Sequence, residues 1–108
     1  MKLLIIFQVN RDAIRGLPPE KLSELTEAWI AWVDKYRKAG NCKEAYVVPL
    51  QTQGVFIWEF NSFEEADRLS MECPYYPYME QPLVIYNLSD WDSHQKEARE
   101  LFKRALKK

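Results

Sequence analysis

Residues 43–60 read KEAYVVPLQTQGVFIWEF, and their reading decides the fold. Val, Ile, Phe and Trp crowd residues 55–60, a composition that suits a pleated and largely buried surface. Residues 43–50 alternate polar and apolar side chains, as a half-exposed strand does. Between them, Gln51-Thr52-Gln53-Gly54 is turn-like, so the segment is expected to be an antiparallel hairpin.

Upstream, Leu17-Pro18-Pro19-Glu20 opens a helix, because proline in the first turn lacks only an N–H that would be unsatisfied there. Leu22, Leu25, Trp29, Trp32 and Tyr36 recur at steps of three and four and form one apolar stripe. Gly40-Asn41 provides a left-handed stop, which ends the helix near Ala39. Residues 3–9 ahead of it carry apolar side chains on both faces, as a central strand would, and residues 11–16 are read as a connection.

Downstream, Ser62 and Glu65 have capping-box spacing and start a second helix with Phe63, Ala66, Leu69 and Ser70 or Cys73 inward. Pro74 ends it, and residues 83–88 supply a fourth strand after Pro82. Ser89 with Asp92 can cap a third helix, with Trp91, Ala98, Leu101, Phe102 and Ala105 on one side. The basic residues Lys103, Arg104, Lys107 and Lys108 suit its negative end. The order is β-α-β-β-α-β with a helical extension over residues 89–108, an α+β chain of one domain spanning residues 1–108.

Fifteen Lys and Arg balance sixteen Asp and Glu among 108 residues, so no global field draws in a polyanion and nucleic acid is not expected as a partner. Aromatic residues at 14% suit a lined cavity or an interface. No apolar run approaches the roughly 20 residues that span a bilayer. Cys42 and Cys73 are isolated thiols without metal-ligand spacing, which suggests a reduced, cytoplasmic chain with no metal and no cofactor. His94, the single histidine, falls in the first turn of the terminal helix and is expected at the surface.

Right-handed crossovers place both helices of such a sheet on one face and leave the other bare. Residues 3–9, Phe56, Trp58 and Phe60 or Val55 and Ile57, and Val84 and Tyr86 or Leu83 and Ile85 would then expose apolar side chains, which a second copy of the chain covers better than one terminal helix does. A homodimer is expected, with a small ligand held between sheet and helices. Gln8, Glu44, Tyr46 and Glu59, polar residues interrupting apolar strands, are candidates for the mouth of that space. Hydrogen-bonded strand ends are the alternative for each.

The run Cys73-Pro74-Tyr75-Tyr76-Pro77-Tyr78-Met79-Glu80 resembles the segment at the same place in muconolactone delta-isomerases, which reads leucine, proline, two aromatics, proline, tyrosine, methionine and an acid. A fainter similarity runs from the first helix through Gly40, residues 55–60 and Ser62 to about Leu88. The resemblance implies a ferredoxin-like fold, a dimeric α+β barrel that assembles in the isomerase into a decamer, and proton transfer on a small lactone acid. Aligned on Gly40, the isomerase's mid-helix acids fall at Trp29 and Ala31, and its histidine and arginine near the second strand give way to Lys43, Glu44 and Tyr46. Glu59, Tyr46 and Glu44 are therefore the candidate proton carriers. Gln8, Trp29, Trp32, Tyr76 and Tyr78 are the candidate ligand contacts, with core packing the alternative for the tryptophans and interface packing for the tyrosines. A non-catalytic ligand-binding oligomer and a cofactor-free monooxygenase are the other functions in view. Haem ranks below them because no histidine reads as buried.

Overall fold

The computed structural model describes residues 1–49 and 51–107. Its elements are β1 (Lys2–Gln8), α1 (Arg11–Ile14), α2 (Pro19–Ala39), β2 (Cys42–Val48), β3 (Gln53–Glu59), α3 (Phe63–Met71), a 3₁₀ turn (Tyr76–Tyr78), β4 (Val84–Leu88) and α4 (Trp91–Leu106). The strands form one antiparallel sheet in the order β2-β3-β1-β4. That order, with crossovers through α2 and α3, defines a ferredoxin-like α+β fold extended by a C-terminal helix. Among the described residues no helix is long and apolar enough to cross a membrane.

Strand parity sorts the side chains into two layers. Leu3, Ile5 and Phe7 of β1 pair with Trp58, Phe56 and Gly54 of β3, and all six are buried beneath the helices. Their neighbours Leu4, Ile6, Val55 and Ile57 point to the opposite face and are only half-buried. On that open face Tyr86 stands beside Leu4 and Val84 beside Ile6, both exposed. The expected bare apolar face is present.

Local chemistry fixes the helices. Pro18, in extended conformation, precedes the first turn of α2, and Gly40 at φ 89° ends it in the left-handed region where a Cβ would be strained. The Asn41 N–H then donates to Tyr36 O at 3.0 Å, closing the turn. Leu25, Trp32, Val33 and Tyr36 are the buried residues of α2. Ser62 caps α3 by accepting from the Glu65 N–H at 3.2 Å, while the Glu65 carboxylate accepts from the Asn61 N–H at 3.0 Å.

Several local expectations need correction. Residues 11–16 contain a helical turn, because Asn10 Oδ1 accepts from the N–H groups of Asp12 and Ala13. Phe63 is exposed rather than inward, since Ala66, Leu69 and Ser70 form the buried side of α3. Asp90, not Ser89 with Asp92, caps α4, and it accepts from the Ser93 N–H at 3.0 Å. β2 begins at Cys42; the expected end of that strand, Leu50, lies outside the described residues.

The core is a continuous aromatic stack. Trp29 and Trp32 stack at 5.6 Å, Trp32 meets Trp58 at 5.1 Å, and Trp58 stacks on Phe60 at 5.5 Å. Each such ring buries roughly 150–250 Å², so a handful of them dominates the packing. The indole N–H groups of Trp32 and Trp58 have no hydrogen-bond partner among the described residues, a cost of about 1–3 kcal/mol each that the packing offsets.

Candidate functional site

A cavity of about 560 Å³ opens at the end of the sheet where β1 runs out and the β2–β3 turn begins. Phe7 and Gly54 form its floor from the sheet, Trp29 and Thr26 come from α2, and Tyr75 and Met79 come from the segment after α3. Arg11 and Ile14 of α1 stand at the side. The volume is that of a small-molecule site, which spans roughly 300–1,000 Å³.

The sequence places each wall for a separable reason. Phe7 faces the helices because it shares parity with Leu3 and Ile5. Trp29 lies on the apolar stripe of α2 one turn before Trp32, and touches Phe7, Phe56 and Tyr75 edge-on at 5.5–5.9 Å. Gly54 keeps the floor open: a Cβ there would sit 2.5 Å from Cε2 of Phe56. Pro74 and Pro77 bend the chain so that Tyr75, rather than Tyr76 or Tyr78, lines the space.

Polar groups are few. The hydroxyls of Thr26 and Tyr75 lie 3.2 Å apart, and Thr26 also donates to Leu22 O at 2.9 Å within its helix. Thr52 and Gln53 contribute from the hairpin, and Arg11 is the one charged residue among the described lining residues. Thr52 adopts φ 51°, unusual for a β-branched residue. It is held there because Thr52 O accepts from the Val9 N–H at 3.0 Å.

Trp29 is the sequence-predicted site residue that lines this cavity. Trp32 is buried one turn along, in the stack with Trp58. Tyr76 packs half-buried against the core, and Tyr78 is half-buried beside it. Gln8 pins the hairpin, its Nε2 donating to Gln51 O at 2.7 Å and to Thr52 Oγ1 at 3.1 Å.

Glu44, Tyr46 and Glu59 occupy the open face of the sheet. A register shift between Cys42 and Glu44 sets Glu44 beside Ile57 and Tyr46 beside Val55. Tyr46 donates to Glu44 Oε1 at 2.9 Å, and this bond to a carboxylate holds the phenol above its usual range. Glu59 lies 3.7 Å from the Met1 ammonium through Oε1, while its Oε2 is enclosed without a hydrogen-bond partner among the described residues. These three therefore share a face with one another and not with Trp29.

Sequence reasoning missed Arg11, Thr26 and Tyr75. Parity could have separated Gln8 from Phe7, since adjacent strand residues point oppositely. Thr26, one turn before Trp29 and Ile30, was also within reach of helical spacing. His94 is exposed, as expected. Among the described residues no group of three His, Cys, Asp or Glu side chains is placed to hold a metal ion.

Two solved structures are similar to the chain at low identity. Protein Rv0793 from Mycobacterium tuberculosis matches at 16% identity over 83% of this chain and 96% of its own, with a TM-score of 0.42. Protein Atu4242 from Agrobacterium tumefaciens matches at 18% identity over 84% of this chain and 96% of its own, with a TM-score of 0.44. No family model and no curated protein matches the chain. The ferredoxin-like assignment rests on the strand order and crossovers described above.

Proposed function

We propose that this chain binds a small aromatic or lactone-derived carboxylic acid in the cavity between sheet and α2, as one half of a homodimeric α+β barrel. The observation that carries the reading is the lining: the rings of Phe7, Trp29 and Tyr75 with Met79, and Arg11 as the charged residue at the side. Aromatic walls favour a flat apolar body, and a guanidinium favours a carboxylate through charge-assisted hydrogen bonds. The open face supports the homodimer: there Leu4, Ile6, Val55, Ile57, Val84 and Tyr86 form a continuous apolar surface of the kind that partners cover.

Thermal denaturation with benzoate, phenylacetate and their methyl esters tests the binding. The acids raise the melting temperature and the esters do not. Arg11→Gln weakens acid binding by about tenfold or more, the loss expected for one hydrogen bond to a charged group. Equal stabilisation by acids and esters, or none at millimolar ligand, contradicts the reading.

The hydrogen bond between Tyr46 and Glu44 supports a second reading, in which the chain is a muconolactone isomerase-like enzyme. In a homodimer the two open faces meet, and Tyr46 and Glu44 then act as a proton-transfer pair beside Glu59. Conversion of muconolactone, followed by its ultraviolet spectrum, distinguishes this enzyme from the binding protein.

A further inference from the structure

α4 carries an apolar stripe that its own chain leaves bare. At 100° per residue, Trp91, Ala98, Phe102, Ala105 and Leu106 fall within an arc of about 100° that also holds Gln95, with Leu101 at its border, while Lys96, Glu100, Lys103 and Arg104 lie opposite. No residue of the helix is buried, and Trp91, Phe102 and Leu106 are 74%, 66% and 86% exposed. The helix also stands away from the body. The chain measures 66 × 29 × 25 Å with a radius of gyration of 18.0 Å, against about 13 Å for a compact chain of this length.

We infer that α4 is an arm exchanged between two copies of this chain, each laying its apolar stripe on the other protomer. This rests on the homodimer proposed above and adds a second contact region to it. Three observations select a second copy as the occupant. First, the connection from β4 to α4 is Ser89-Asp90, with Asp90 already engaged as the cap, so the helix departs directly from the sheet edge. Second, Leu88, the last residue of β4, pairs with Lys2 on the open-face parity, so α4 is continuous with the face that would meet a partner. Third, the areas match. A stable interface takes about 800 Å² from each partner, and Trp91 and Phe102 alone offer on the order of 300 Å². The rest comes from Leu101, Leu106 and the open sheet face.

A groove that such an arm can reach around the β4 edge lies on the helix side of the sheet, where Leu3, Phe63, Glu64, Ala66, Asp67 and Ile85 line a space of about 380 Å³ between α3 and β4. Phe63 and Ile85 are themselves exposed apolar residues. An aromatic side chain from a partner's α4 would cover both.

Sedimentation velocity and amide hydrogen exchange of the full chain test the inference, with Phe102→Asp as the disrupting variant and Lys103→Ala as the control on the charged side. Phe102 is exposed within one chain, so its substitution leaves the protomer folded; intact exchange protection in β1 and β3 verifies that. The expected result is a dimer whose α4 amides are protected above its dissociation concentration and exchange freely below it. Phe102→Asp weakens that dimer by about tenfold or more, the loss of a central aromatic anchor, and Lys103→Ala leaves it unchanged. A dimer that Phe102→Asp does not weaken, with α4 exchanging freely at every concentration, overturns the arm and leaves the sheet-to-sheet dimer standing. Protection of α4 that is independent of concentration also overturns it, because the helix then folds on its own chain. A monomer throughout overturns both the arm and the homodimer.

Discussion

Thr26 of α2 and Tyr75 beyond α3 join hydroxyls at 3.2 Å across the wall of the cavity, although 49 residues separate them in sequence. This bond ties the helix that carries Trp29 to the proline-rich segment that closes the site. Tyr75→Phe removes the bond while keeping the ring, so stability should fall by about 0.5–1.5 kcal/mol in urea unfolding. Its edge-on contact with Trp29 should survive.

Gly54 is where the floor of the cavity tolerates no side chain. In Gly54→Ala the new Cβ meets the ring of Phe56, which is buried and cannot retreat without disturbing Phe7 and Trp58. Overpacking of this kind costs about 1–3 kcal/mol. Urea denaturation should report that loss, and acid binding should weaken with it.

Tyr36 gives the fold a dependence on alkaline pH. Burial pushes its phenol up from 10.0 to about 12, and its donation to Glu72 Oε2 at 2.8 Å adds to the shift. A phenol harder to ionise in the folded chain contributes stability that is complete below pH 10 and is lost as pH rises through about 12. The free energy of unfolding should decline across that window, and the decline should be smaller in Tyr36→Phe.

Both cysteines should be silent in the native state. Burial raises the Cys42 thiol and pushes Cys73 up to about 12, so each supplies less thiolate at pH 8 than a free cysteine does. Ellman's reagent should titrate two thiols in guanidinium and none rapidly before unfolding. A fast native thiol would show that one of these residues reaches solvent.

The fold was legible because its signals agree locally and globally. The stripe from Leu25 to Tyr36, the stop at Gly40 and the alternation through Val55 and Trp58 all specify the same α2 and β3. The site was less legible. Three tyrosines within residues 75–78 look alike in sequence, and the geometry of a 3₁₀ turn decides which one lines the cavity. Arg11 sat in a stretch without periodicity, brought into place by the Asn10 cap. Tyr46 and Glu44 owe their face to a one-residue register shift in β2, which strand alternation alone does not reveal. For α4 the periodicity was right about the stripe but silent about where it lands, because no residue of the helix is buried against the rest of the described chain.

Glu44→Gln and Tyr46→Phe separate the two functional readings. Both residues are exposed on the open face, so each substitution should leave acid binding in the cavity within about twofold of the original. Loss of muconolactone turnover in both variants, with binding retained, would assign proton transfer to that pair.

The most direct test of the ligand site is a titration of the isotopically labelled protein with benzoate, followed by NMR chemical shifts. Saturable shifts should concentrate at Phe7, Thr26, Trp29, Gly54, Tyr75 and Met79, with small changes at Glu44, Tyr46 and Glu59. Shifts centred on the open-face residues, with the walls of the cavity unmoved, would contradict the account.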